Sequence, residues 1–436
     1  MNAMGKRSAA PSTLSTGGPT APPSAPAWQG AILERLTANG VGTLVHVPDL
    51  VLAGLIRQAE ADERFRVYAP AKEDEGVGIL CGAYLGGQKG VIALQNSGMG
   101  NVVNALASLA IPCQIPFLFL ISQRGELNEF NPAQVGMAQV LRPMLDALGI
   151  PHFTLSRLDE VPATVDGACA LAFQTERPVA LILAPLLTGG KKGLPAYGDE
   201  DQEPAPSPRA GTAGASVSAH TGLLPDGHKP GNVTDEPGAM PRQECVRMLV
   251  GALRDEIVVT GLGYAAFDVY AAGDRARNFY LSGALGSAAA VAFGMAVTRP
   301  HDRVVCVDGE GSLLTNLGAL ATIARYAPSN LTLVILDNEM LRITGGQATH
   351  TAFATDLALV ARGCGIAGAR TVRSLDGFRT AFDSILQTPG PHVLVAKVDR
   401  QRSSGYQPRK GVLVKYRFMH ALGVQPDVQA LAWGHN

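Results

Sequence analysis

Short runs of apolar residues alternate with helix-spaced segments along most of this chain. Between residues 28 and 190 the runs are "GTLVHV", "FRVYA", "GVIALQ", "PFLFLIS" and "PVALILA". They are nearly continuous rather than alternating, the pattern of strands covered on both faces. Between them "LVLAGLIRQAEA", "GVGILCGAYLGG", "VVNALASLA" and "ATVDGACALAFQ" carry apolar residues at helical spacing. Strand and helix in turn predict a parallel sheet wound on both sides. The pattern stops before residue 200 and resumes after Pro241. There "EIVVTG", "NFYLSG", "RVVCVDG", "LTLVILDN" and "HVLVAKV" read as strands, and "QECVRMLVGAL", "SAAAVAFGMAV", "LGALATIARYA" and "GFRTAFDSILQ" as helices. The expected fold is α/β: two doubly wound parallel-sheet domains, residues 28–190 and 241–420, joined by a flexible linker.

Composition sharpens the boundaries. Residues 191–240 are rich in Pro, Gly, Ala and Ser and poor in large apolar residues, which fits a linker. Residues 1–27 share that bias and contain two basic residues and no apolar core of a secretory signal, so a disordered tail is expected. Residues 421–436 are expected to form a C-terminal tail. Met240 at the start of the second half suggests two once-separate chains. With 46% hydrophobic and 17% charged residues the chain can bury a large core, and no apolar run reaches membrane-spanning length. A formal net charge of −1 gives no whole-chain attraction to nucleic acid or an anionic membrane. Six scattered cysteines without a CxxC pair fit buried thiols in a reducing cytoplasm.

The candidate chemistry begins at "VDGEGSLLTN", residues 307–316. An acid between two glycines lies where a strand gives way to a helix. Strand C-terminal ends are where open α/β sheets bind ligands, and free N–H groups there suit a phosphate. Glu310 would repel a diphosphate unless a cation lay between them, and Mg²⁺ bridging both resolves the conflict. Asn338, after the next strand in "VILDNEM", offers a second oxygen. An ordinary turn followed by an Asx turn would produce the same letters.

Gly309-Glu310-Gly311 followed, after Ser312 to Leu336, by Asp337-Asn338 resembles the metal and diphosphate motif of thiamine diphosphate enzymes, in which Gly-Asp-Gly precedes Asn-Asn. The chain departs from it at Glu310 and at Asp337. The resemblance implies Mg²⁺ held by Glu310, Asn338 and the carbonyl of Met340. Glu310 reaches about 1.5 Å further than Asp, which tests a metal that demands near-ideal geometry. It also implies an acid in the first half that bonds the cofactor's aminopyrimidine ring. The stretch "YAPAKEDEGVGILCGAYLGGQKGVIALQNSGMGN" is similar to sulfopyruvate and phosphonopyruvate decarboxylases and points to Glu73, with Asp74 and Glu75 as neighbours. A solvated acidic helix start is the plainer account of those three acids.

The family implies further positions. "HVPDLVLAGLI" is similar to its first strand-to-helix turn, and "QNSGMGNVVNALASL" to a glycine-rich loop at the active-site edge, with Asn96 and Ser97 toward the cofactor and Asn101 toward substrate. "VTGLGYA" and "YLSGALGSAAA" are similar to the diphosphate loops: Gly261, Gly263, Ser282 and Gly283, beside Gly309, Gly311 and Ser312. Leu285 falls where the family places an apolar residue under the cofactor. "ITGGQATHT" contributes Gln347 and His350, the latter as a proton relay or a structural loop residue. The two halves resemble separate α and β subunits of sulfopyruvate decarboxylase joined in one chain. The implied activity is decarboxylation of a 2-oxo acid, with sulfopyruvate preferred and phosphonopyruvate as alternative. A homodimer or homotetramer is implied, with the cleft between subunits. An additional anionic group on the substrate needs cations; Arg124 and the C-terminal Arg409, Lys410, Lys415 and Arg417 are candidates. A dinucleotide-binding module is disfavoured because no GxGxxG opens a helix. A non-catalytic relative would be the reading if Glu310 could not replace Asp.

Overall fold

The computed structural model describes residues 26–126, 129, 131–190, 239–403 and 405–425. Two six-stranded, wholly parallel sheets form the two halves. The first contains β1 (Val41–His46), β2 (Arg66–Tyr68), β3 (Lys89–Gln95), β4 (Leu118–Ser122), β5 (His152–Leu155) and β6 (Val179–Leu183), in the order β2-β1-β3-β4-β6-β5. The second contains β7 (Ile257–Thr260), β8 (Asn278–Tyr280), β9 (Val304–Gly309) and β10 (Leu331–Asp337). A two-stranded hairpin follows, β11 (Met340–Leu341) and β12 (Gln347–Ala348), and then β13 (Gly368–Val372) and β14 (His392–Lys397) complete the second sheet. Its order, β13-β14-β10-β9-β7-β8, is the first order read in reverse, so the two halves share one topology.

All ten strands expected from apolar runs are present. Every residue of β4, β6 and β10 is buried, which explains their unbroken apolar sequences. The pattern missed β5 and β13, sheet-edge strands with one buried residue each, and the short β11–β12 hairpin. It also passed over the helices Ala27–Ala38, Pro132–Ala147, Tyr264–Ala272 and Gly411–Ala421. The boundaries shift slightly: Ala27 opens a helix, and Met240, placed in the linker by composition, is buried and bridges to Val398 of the second half. Apart from Ala239 and Met240 the expected linker lies outside the described residues, as do all but Pro26 and Ala27 of the N-terminal tail and most of the C-terminal tail.

The two sheets reverse their winding between β1 and β3, and between β7 and β9. Such switch points open crevices at strand C-terminal ends. The halves dock through two equivalent helices, Glu73–Leu85 after β2 and Ala288–Thr298 after β8. Glycine makes the approach possible. A Cβ on Gly82 would lie 2.1 Å from the Val291 carbonyl oxygen, and one on Gly294 would lie 2.1 Å from that of Ile79. Tyr68 of the first half packs edge-on against Phe293 and Tyr326 of the second. This seam lies within one chain.

Candidate active site

The acid cluster at the start of the Glu73–Leu85 helix divides into three environments. Glu73 is half-buried and accepts a hydrogen bond from Asn101 Nδ2 at 2.8 Å. Its carboxylate lies against Gly98, where a Cβ would come within 2.8 Å of Oε1. Asp74 pairs with Lys72 at the surface. Glu75 is buried against the second half and accepts from the Ala71 N–H at 2.9 Å; burial raises its pKa, against hydrogen bonds from Thr322 and backbone N–H groups. Of the three, Glu73 faces the glycine-rich loop that follows β3. Asn101, expected to meet substrate, is exposed and donates to Glu73. Asn96 is fully buried and donates to the Arg124 carbonyl at 3.1 Å, while Ser97 accepts from Gln95 at 2.6 Å.

Glu310 opens the short helix after β9 and is 2% exposed. Its Oε1 accepts from the Met340 N–H at 2.9 Å and from Thr349 Oγ1 at 3.1 Å. Asn338 Oδ1 accepts from the same Met340 N–H at 3.1 Å, so the two expected ligand oxygens converge on one backbone group. Burial, and then the charge of Asp337, push the Glu310 pKa up to about 8. Among the described residues no cation pairs with this carboxylate, and a divalent ion would supply one. Among the described residues no three His, Cys, Asp or Glu side chains gather as a metal cage. That donor set suits Mg²⁺, which takes few carboxylates and completes its shell with phosphate oxygens and water. The residues present therefore fit the implied group.

A relay of hydroxyls extends the site. Thr349 Oγ1 lies 3.0 Å from Thr351 Oγ1, which donates to Asp337 Oδ1 at 2.8 Å. Asp337 in turn pairs with Lys397 at 2.8 Å, across the β10–β14 register that places the two side by side. Burial disfavours the Lys397 charge, but Asp337 and Glu339 outweigh it and raise its pKa. Arg400 closes the network, donating to the Asn338 carbonyl at 3.1 Å and pairing with Glu339 at 2.9 Å. A lysine thus compensates the acid at the family's first Asn position.

The glycine loops gather around this centre. Gly261 packs on Asp308, and Gly263 (φ +87°) lies beneath Ile343. Gly311 lies beneath Leu341, and the Ser312 hydroxyl accepts from the Gly286 N–H at 3.1 Å. Asp308 is buried, which raises its pKa to about 6, and its Oδ2 has no hydrogen-bond partner among the described residues. Ser282 is exposed, Gly283 abuts the Ser108 carbonyl of the first half, and Leu285 is exposed rather than packed in the core. Gln347, on β12, and His350, just after it, are exposed; Gln347 accepts from Thr344 at 3.0 Å.

The expected substrate cations are largely engaged elsewhere. Arg124 is buried in a forked pair with Glu129, at 2.8 and 2.7 Å, so its charge is already answered within the protein. Glu129 is held at about 2 by that pairing. Lys415 is fully buried against Glu176 at 2.9 Å, and Arg417 pairs with Asp274. Arg409 and Lys410 are exposed. His46 is buried with neither ring nitrogen bonded and a pKa lowered to about 4 by burial and then Arg325, the condition of a packed histidine. Thr349, Thr351, Lys397 and Arg400 were not singled out from the sequence, since only strand register and the hairpin bring them to Glu310.

Fold and site together have the form of a thiamine diphosphate enzyme with its two binding domains in one chain. The thiamine pyrophosphate enzyme family, C-terminal TPP-binding domain, matches residues 263–396. A phosphonopyruvate decarboxylase of Streptomyces viridochromogenes is 34% identical over 362 residues, 83% of this chain and 85% of that protein. A sulfopyruvate decarboxylase of Methanosarcina acetivorans is 33% identical over 351 residues, 80% of this chain and 86% of that protein. The benzoylformate decarboxylase structure from Polynucleobacter necessarius superposes with a TM-score of 0.63 at 15% identity, covering 87% of this chain and 99% of that one, a likeness of fold. The chain belongs to the thiamine diphosphate-dependent 2-oxoacid decarboxylases, in the group that includes the phosphonopyruvate and sulfopyruvate enzymes. Among the described residues no helix is long and apolar enough to cross a membrane.

Proposed function

We propose that this enzyme, with Mg²⁺, converts sulfopyruvate to sulfoacetaldehyde and CO₂, with phosphonopyruvate as the alternative substrate. The observation that carries the reading is the convergence of Glu310 and Asn338 on the Met340 N–H, in a chain whose Glu73 helix docks on the same half. In this reading Glu310, Asn338 and the Met340 carbonyl would hold the metal, which would neutralise the charge of the cofactor diphosphate. Gly261, Gly263, Ser282, Gly283, Gly309, Gly311 and Ser312 would hold the diphosphate, and Leu285, Asn96 and Ser97 would meet the rings. Thiamine diphosphate, when bound, supplies the electron sink for decarboxylation.

The side chains position and protonate. Glu73 would meet the aminopyrimidine ring through its carboxyl as the acid–base group, with Asn101 fixing its orientation through Oε2. Thr349 fixes Glu310 through Oε1. Leu285, Leu341 and Ile343 give the site an apolar surround, which favours loss of a carboxylate as neutral CO₂. His350 is the proposed proton source when the aldehyde forms, and Gln347 a substrate contact. One proton is consumed per turnover: the 2-oxo acid anion and H⁺ give the aldehyde and CO₂. A homodimer or homotetramer in the cytoplasm remains the expected setting, and light scattering on the holoenzyme reads the assembly directly.

CO₂ and aldehyde release should be measured side by side with sulfopyruvate and phosphonopyruvate, with and without thiamine diphosphate and Mg²⁺. Cofactor-dependent release from one or both is expected. No release from either, with cofactor binding intact, would exclude this substrate class.

A further inference from the structure

We propose that Arg342 is the specificity residue for the second anionic group of the substrate, selecting 2-oxo acids with a sulfonate or phosphonate on C3 over pyruvate itself. The proposal rests on the decarboxylase reading above. Arg342 lies on the β11–β12 loop, two residues after Met340. Its Nε is buried without a hydrogen-bond partner, and the guanidinium makes no ion pair among the described residues. Three of the other candidate cations, Arg124, Lys415 and Arg417, are held by Glu129, Glu176 and Asp274. An arginine left unanswered at the edge of a site, with a buried donor, is poised for an external oxyanion that accepts a forked pair of hydrogen bonds.

The loop geometry favours a substrate group over the cofactor diphosphate. Leu341 and Ile343, on either side of Arg342, press on Gly311 and Gly263, two of the glycines expected to face the diphosphate. Arg342 instead turns toward Gly346 and the Met340 thioether: a Cβ on Gly346 would lie 3.4 Å from its Nη1 and from Met340 Sδ alike. Gly345 (φ +121°) and Gly346 (φ +87°) allow the backbone to fold around it. The arginine therefore belongs to the loop's other side, off the glycine cradle, on the same hairpin as Gln347 and close in sequence to His350.

Arg342→Gln in the holoenzyme tests this. With sulfopyruvate and phosphonopyruvate, kcat/KM should fall roughly 10- to 100-fold, mostly through KM, as expected for loss of a charge-assisted contact made before and during reaction. Turnover of pyruvate should stay within about threefold, and thiamine diphosphate affinity, read by calorimetry, should not change. Calorimetry with 3-sulfopropanoate, an unreactive dianion, should show the same loss, while propanoate shows none. Arg342→Lys should recover part of it, since it keeps charge but not the fork. An equal fall for pyruvate, weakened cofactor binding, or transfer of the whole effect to Arg409→Gln or Lys410→Gln would overturn the assignment. Retained pyruvate turnover with unchanged dianion preference removes Arg342 alone; absence of any turnover by the unaltered enzyme removes the decarboxylase reading and this proposal with it.

Discussion

The turn after β3 and the turn after β9 occupy the same place in two sheets of one topology, and their chemistry is opposite. In the first half the turn is neutral: Asn96 is buried and fastened to the Arg124 carbonyl. In the second half it presents Glu310, a buried acid whose pKa is pushed to about 8. The helices that follow β2 and β8 invert the contrast. The first opens with Glu73, the second with Ala288–Ala290. Each half thus offers one candidate acid, at a different strand end, and both use the equivalent helix to dock. A repeated scaffold divides its work by where it tolerates a carboxylate. The half-buried position beside Gly98 suits proton exchange, while the buried one suits an ion.

The sharpest way to break this division is at Glu73. Glu73→Gln should leave the fold and cofactor binding intact while lowering CO₂ release by at least about 100-fold, the scale of a lost acid–base group. Circular dichroism and calorimetry check the first two, and a CO₂ assay the third. Near-normal turnover would show that the first-half acid is structural. Glu310→Ala should act on the other property, raising the Mg²⁺ and thiamine diphosphate concentrations needed for half-saturation by more than about 10-fold, as removal of a direct metal ligand should. Unchanged half-saturation would remove Glu310 from the metal site.

The contrast between neutral and acidic strand ends sharpens further at Asp337. Its negative charge is 2% exposed and answered by Lys397 at 2.8 Å. Lys397→Met should cost about 2–3 kcal/mol, because it leaves a buried carboxylate uncompensated beside Glu310. Asp337→Asn in the same chain should restore most of that stability, since the neutral amide needs no lysine. Thermal unfolding of these two variants and of Asp337→Asn alone checks the cycle. Independent losses that merely add would mean the pair is not coupled.

The sequence made the central strands legible because they are buried on both faces, and made the Glu310–Asn338 spacing legible because it spans one helix and one strand. Glu73 could be chosen among three adjacent acids only through family resemblance; the structure distinguishes them by their contacts with Asn101, Lys72 and Ala71. β5 and β13 escaped because "HFTL" and "GARTV" are half-exposed edges. The Asp337–Lys397 pair was hidden by strand register, which no local pattern encodes. The Arg124–Glu129 pair was likewise hidden, because the two lie five residues apart on one loop, outside any helical spacing rule.

The docking helices offer the subtlest test, because here the two halves are equivalent rather than opposed. Gly82 and Gly294 each bring the partner helix's carbonyl oxygen to 2.1 Å from where a Cβ would stand. Alanine at either position must push the helices apart or bend them, and backbone atoms cannot rotate away as a side chain would. Each substitution should cost about 1–3 kcal/mol, the range for overpacking a close contact. Gly136, in the Pro132–Ala147 helix, has nothing within 4 Å of a new Cβ, so Gly136→Ala should be neutral or gain about 0.5–1 kcal/mol from helix propensity. Parallel thermal melts of the three variants compare them directly. Equal losses at Gly82 and Gly294 against none at Gly136 would establish a seam shared symmetrically by both halves. A loss at one glycine alone would show that one helix yields, and that the repeated scaffold is not equally rigid on its two sides.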